Sequence, residues 1–175
     1  MTAARLVQFI MSDTQSVETL LVKLVGQPAW QVQVMHGNFL SLDFGKPWLD
    51  IAEKLTPPQR KIVARGEWHF VLRYCQWRVF NAKQADPEAS RSTQRSYATR
   101  EISGQFLRSV TYDSQLRTTK LVFDLGAIIE IHPNNWSDDP QWLLSGKDQV
   151  WTLDNAGHLT HEARTLFSKG IDKTW

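Results

Sequence analysis

One cysteine, Cys75, stands among the 175 residues. A lone thiol excludes an internal disulfide and suits a reducing compartment. Apolar runs are short, and none approaches the ~20 residues that a helical membrane span needs. Glycine is scarce, at 9 residues, and nowhere forms a phosphate cradle. The hydrolase elbow G-x-S-x-G, the zinc motif H-E-x-x-H and an RNP-like segment are all missing. A net charge of +2 is too small to imply a nucleic-acid partner. Residues 1–11 hold one arginine and a short apolar patch without a small-residue cleavage site, so no secretion signal is expected there. Together these absences point to a cytoplasmic protein with no cofactor and no membrane partner. They name no chemistry.

Tryptophan, by contrast, is plentiful, with 8 residues. An indole is bulky and carries an N–H that seeks an acceptor, which suits sheet cores and binding surfaces. Charge is unevenly spread. Residues 54–120 carry 13 basic and 5 acidic side chains, against 3 and 5 before them and 4 and 8 after. A basic middle could attract an anionic partner, although compensated, solvated faces would have the same composition.

Periodicity divides the chain. Val17, Leu20, Leu21, Leu24 and Val25 form one helical stripe that ends at Gly26. Trp30, Val32 and Val34 alternate with polar residues, and Gly37-Asn38 turns them into Phe39, Leu40 and Leu42, a hairpin. Pro47 and Pro57-Pro58 bracket a short helical turn. Residues 60–65 and 67–73 read as a hairpin about Arg65-Gly66. A phase switch after Cys75 puts that residue at a bend. Residues 93–102 lean helical. Further hairpins are expected around Asp113-Ser114, Gly126 and Ser145-Gly146.

The halves resemble each other. Leu24-Val25-Gly26-Gln27 matches Ile102-Ser103-Gly104-Gln105, and Leu40 to Gly45 matches Leu121 to Gly126. The fold expected is therefore α+β, an internal duplication of two similar helix-plus-antiparallel-sheet units merged into one domain. Residues 12–80 and 93–160 would be the pseudo-repeats, residues 1–11 a lead, and residues 161–175 a tail.

Gly66-Glu67-Trp68-His69, then Cys75 and Trp77-Arg78, with Gly26-Gln27-Pro28 upstream and Asp124-Leu125-Gly126 later, resemble the pattern of a family of uncharacterised small bacterial proteins. The likeness spans residues 24–153. It implies a small bacterial cytosolic protein and carries no catalytic residue across.

Several side chains could carry chemistry. His69 and Cys75 are the catalytic candidates, as a base and a nucleophile, although a straight strand would hold them ~20 Å apart. Asp43 and Asp124 could pair in a pocket between the halves, but Asp at a strand end more commonly bonds local backbone. His158 and His161 have metal-ligand spacing without a third ligand. Trp68, Arg73, Trp77 and Arg78 are the binding candidates, because cations interleaved with aromatics suit a recognition strand. The expected function is a non-catalytic binding protein with a protein partner, of the immunity-protein kind. A small enzyme or ligand-binding protein and a nucleic-acid binder are the alternatives.

Overall fold

The computed structural model describes residues 10–11, 14–55, 58–81, 91–135 and 137–164. In chain order it contains β1 (Ile10–Met11), α1 (Thr14–Leu21), a 3-10 turn (Val22–Leu24), β2 (Ala29–Val34), β3 (Leu40–Phe44), β4 (Trp48–Leu55), β5 (Pro58–Arg65), β6 (Trp68–Leu72) and β7 (Cys75–Asn81). After α2 (Arg91–Glu101) come β8 (Leu107–Asp113), β9 (Thr118–Phe123), β10 (Ala127–Pro133), β11 (Pro140–Ser145), β12 (Gln149–Asp154) and β13 (Leu159–Ala163).

The expected α+β duplication is corrected. Among the described residues the protein is mostly β, 56% strand against 16% helical, and the two helices are short. Nor is either half a sheet of its own. A seven-stranded antiparallel sheet runs β1-β13-β12-β11-β6-β3-β2, and a four-stranded one runs β7-β10-β9-β8. Each sheet therefore takes strands from both halves of the sequence. The physical reason lies at Arg73-Tyr74, where the chain leaves β6 and re-enters as β7 in the other sheet. The phase switch after Cys75 marks this change of sheet.

Alternation decides which faces meet. Leu40, Leu42, Phe44, Phe70, Leu72, Trp142 and Leu144 are buried on the inner face of the large sheet. Trp77, Val79, Leu121, Phe123, Ile129 and Ile131 are buried on the small one, and all belong to one core. Trp142 Nε1 donates across the gap to Thr119 Oγ1 at 3.3 Å, so the buried indole N–H is satisfied. Burying a side chain of the Leu, Ile or Phe class contributes about 1.5–3 kcal/mol, so this inner layer is the main source of stability.

The helices close the ends of this layer. α1 buries Val17, Leu20 and Leu21, continued by Leu24, and packs on β8, where Glu18 accepts a hydrogen bond from the Tyr112 N–H at 3.0 Å. That bond occupies a donor that the edge strand would otherwise expose. α2 buries Ala98 and the adjoining Ile102 against β2 and β7.

The matching segments after the helices bind one another. Gly26 N donates to Leu107 O (2.8 Å) and Gly104 N to Ala29 O (2.7 Å). Ala29 N donates to Gln105 O and Leu107 N to Gln27 O. Gly26 and Gly104 both take positive φ (83° and 89°), the left-handed backbone that ends a helix without a Cβ penalty.

Two local expectations also change. The bracket between the prolines is strand, not a helical turn, and residues 58–65 pair with 48–55 rather than with 67–73. β4 and β5 form a separate two-stranded ribbon.

Candidate functional site

Where the ribbon joins the large sheet, polar side chains converge on the sheet's outer face. Asp43 sits on β3 directly opposite His69 on β6, and only 1% of its side chain is exposed. Its Oδ1 accepts from Gly66 N at 2.9 Å and lies 3.0 Å from His69 Nδ1. With its amide nitrogen turned toward the acceptors, Gln31 donates to Asp43 Oδ2 (3.3 Å) and to Ala64 O (2.9 Å). Gln31 reaches both because a bulge in β2 gives it positive φ (48°). A buried carboxylate needs this density of donors.

His69 Nε2 lies 3.3 Å from Arg65 Nη1. A guanidinium only donates, so Nε2 is the acceptor and Nδ1 carries the proton directed at Asp43. Arg65 Nε stands 3.8 Å from Asp50 Oδ2, and Arg164 Nη2 is 3.1 Å from the same oxygen. Arg164 also donates to Gly146 O and lies over the Trp48 ring. The network thus runs Asp43–His69–Arg65–Asp50–Arg164 and ties the ribbon's base to the sheet.

Gly66 is the backbone hinge of this joint. A Cβ there would stand 2.5 Å from Phe44 O and 2.8 Å from Phe44 N. Its carbonyl accepts from Trp48 Nε1 at 2.8 Å. The opening of the Gly66-Glu67-Trp68-His69 motif therefore serves close backbone packing.

Ser145 on β11 is the register partner of His69 on its other side. Asp43, His69 and Ser145 stand in one row across three strands, the residue types of an acyl-transfer triad. The imidazole nitrogen that would activate the hydroxyl faces the Arg65 guanidinium instead.

The other predicted site residues are dispersed. Cys75 opens β7 in the opposite sheet, opposite Pro133, and burial pushes its thiol up to about 12, so it is not poised as a nucleophile. Asp124 follows β9, where its Oδ1 accepts from Phe106 N, whereas Asp43 bonds Gly66 N and His69. His158 bonds Asp154, while His161 lies on β13 opposite Trp151. On a strand the x-x spacing does not direct two side chains to one face. Among the described residues no group of three or more ligating side chains could hold a metal.

The four binding candidates form no common surface. Trp68 packs against Trp151, with Lys23 Nζ over both rings. Arg73 lies over Phe39 and Tyr74. Trp77 is a core residue whose indole donates to Asn38 O. Arg78, on the outer face of the small sheet, donates twice to Glu130 Oε2. Burial by itself would raise the Glu130 carboxyl, but the bonds and charges of Arg78 and Lys120 hold it below its ordinary value.

The sequence reading missed the ribbon. Leu49, Ile51 and Ile62 are 63%, 53% and 56% exposed. Leu49 pairs with Ala64 and Ile51 with Ile62, so these side chains share one outward face. The opposite face carries Trp48, Asp50 and Arg65, which hold the ribbon's base to the sheet. The alternation Leu49-Asp50-Ile51 and the β-branched pair Ile62-Val63 were the available signal, obscured by the flanking prolines.

No helix among the described residues is long and apolar enough to cross a membrane. Compared with models of protein families, with curated proteins and with solved structures, the chain gives no match.

Proposed function

We propose that the chain is a non-catalytic binding protein of the bacterial cytosol that engages another protein through the β4–β5 ribbon. The exposed face of Leu49, Ile51 and Ile62 carries this reading. Single exposed aliphatic residues are ordinary, but three on one face of a two-stranded ribbon form a contiguous patch of the kind that marks a contact site. The anchoring of the ribbon by Arg65, Asp50, Arg164 and Trp48 supports it as well, because an ordered arm loses less freedom on binding than a floppy one. Blocking a partner by surface complementarity, as immunity proteins do, is one form such binding takes.

The test is a comparison of two baits in lysate of the bacterial host. The wild-type chain should retain a protein that the Leu49→Thr/Ile51→Thr/Ile62→Thr chain does not. Identical retention by both baits would remove the ribbon from the function.

A further inference from the structure

The joint beneath the ribbon holds a contact that a single proton can reverse. Asp43, His69, Ser145, Val150 and Glu162 stand in one row across five strands of the large sheet. Among the described residues, the charged groups that face the His69 ring are Asp43 from β3 and Arg65 from β5. Ser145 on β11 is neutral, and so is Gln31 on β2, which reaches Asp43. Asp50 on β4 and Arg164 after β13 lie behind Arg65. Glu162 ends the row, beyond Ser145 and Val150.

The two charged neighbours of the ring differ in what holds them. Asp43 stays beside His69 whatever the ribbon does, because β3 and β6 are paired in the sheet. Arg65 arrives with the ribbon. Its bond to Nε2 at 3.3 Å needs an unprotonated nitrogen. A proton there turns the acceptor into a donor and sets two cations against each other. Asp43 favours that proton equally with the ribbon seated or lifted, so Arg65 is what distinguishes the two states. Protons therefore bind better to the lifted state, and by linkage acid shifts the balance toward it.

We propose that His69 is a pH switch for the β4–β5 ribbon, in which protonation releases Arg65 and loosens the ribbon's base from the large sheet. Histidine is the side chain whose charge ordinarily changes between about pH 5 and 8. The ties from Arg164 to Asp50 and from Gln31 to Ala64 O remain, so the change is a local loosening and not an unfolding. The switch acts on the joint, whether or not the ribbon's outer face meets a partner.

The test is hydrogen–deuterium exchange of the full chain at about pH 7.5 and about pH 5.5, corrected for the intrinsic rate, a window above the ordinary carboxyl range of about 4. Protection of residues 60–65 should fall about tenfold at the lower pH, the size expected when a bond to a charged group is lost. Pro140–Ser145 in β11 should keep its protection. His69→Gln leaves an amide donor and acceptor without a titrating ring, and its ribbon should be equally protected at both pH values. Arg65→Gln removes the cation. Its ribbon should be less protected than wild type at the higher pH and lose nothing further at the lower one.

An unchanged wild-type ribbon would overturn the proposal. So would an equal fall in His69→Gln, which would place the titration elsewhere, or a parallel fall in β11, which would mean general acid destabilisation. Should His69→Gln not fold, Arg65→Gln decides: a fall as large as in wild type would overturn the switch, and no fall would support it.

Discussion

Asp43 and His69 face each other on neighbouring strands, with Oδ1 and Nδ1 3.0 Å apart. The pair belongs to the joint between ribbon and sheet, because His69 continues to Arg65 and Asp43 to the Gly66 N–H. Asp43→Ala would leave two buried donors without their acceptor. It should cost about 2–4 kcal/mol, seen as a lower urea midpoint at unchanged slope. A loss under about 0.5 kcal/mol would show that the network is incidental.

Gly66 and Gly104 should respond to alanine differently. At Gly66 the added methyl meets Phe44 backbone at 2.5 Å. Backbone cannot swing aside, so a loss of about 2–3 kcal/mol is expected, together with a change in Trp48 fluorescence. At Gly104 nothing lies within 4 Å, and only the positive φ opposes the change, at about 1 kcal/mol. Thermal melts of the two variants test this order.

Glu130 links stability to pH. Its folded-state carboxyl lies below the ordinary value, so its contribution is fully present above the unfolded-state pKa. It is lost as pH falls through the folded one. Arg78→Gln should lower stability at neutral pH and make little difference in strong acid. Arg78 and Lys120 are 42% and 41% exposed, so screening keeps the effect at about 1 kcal/mol or less. A difference that grows toward low pH would contradict this linkage.

Cys75 should be inert in the folded chain. With its thiol pushed up to about 12 by burial, almost none is thiolate at mildly alkaline pH. Its reaction with a thiol reagent should be slow until denaturant is added. Rapid labelling of the native protein would show that β7 opens at its first residue.

Ser145 provides the check on the non-catalytic reading. With His69 Nε2 held by Arg65, a fluorophosphonate probe should leave Ser145 unlabelled. Labelling of Ser145 that vanishes in His69→Ala would make the row across the three strands a working triad.

Much of the local structure was legible in the sequence. The stripe from Val17 to Leu24 marks a helix packed on sheet, and Gly26 and Gly104 mark the helix ends. Period-two alternation marks the hairpins β2–β3, β8–β9 and β11–β12. The site was legible only in part. In the sequence His69 and Asp43 belong to separate pairings, and Arg65 marks only a turn. Their convergence depends on β3 and β6 being neighbours although β4 and β5 lie between them in sequence.

Periodicity reports which side chains a strand turns to each face. It does not report the strand's neighbours. Those are chosen by burying whole faces against each other across long loops, and the chain here resolves that choice by sending β6 and β7 into different sheets. The sequence by itself determined most of the elements and their inner faces, the β4–β5 ribbon apart, because alternation, capping and turn chemistry act over a few residues. Only the tertiary structure decided that the sheets exchange strands, that Asp43 meets His69, and that β4 and β5 stand apart with Leu49, Ile51 and Ile62 exposed, because these follow from pairings made over tens of residues.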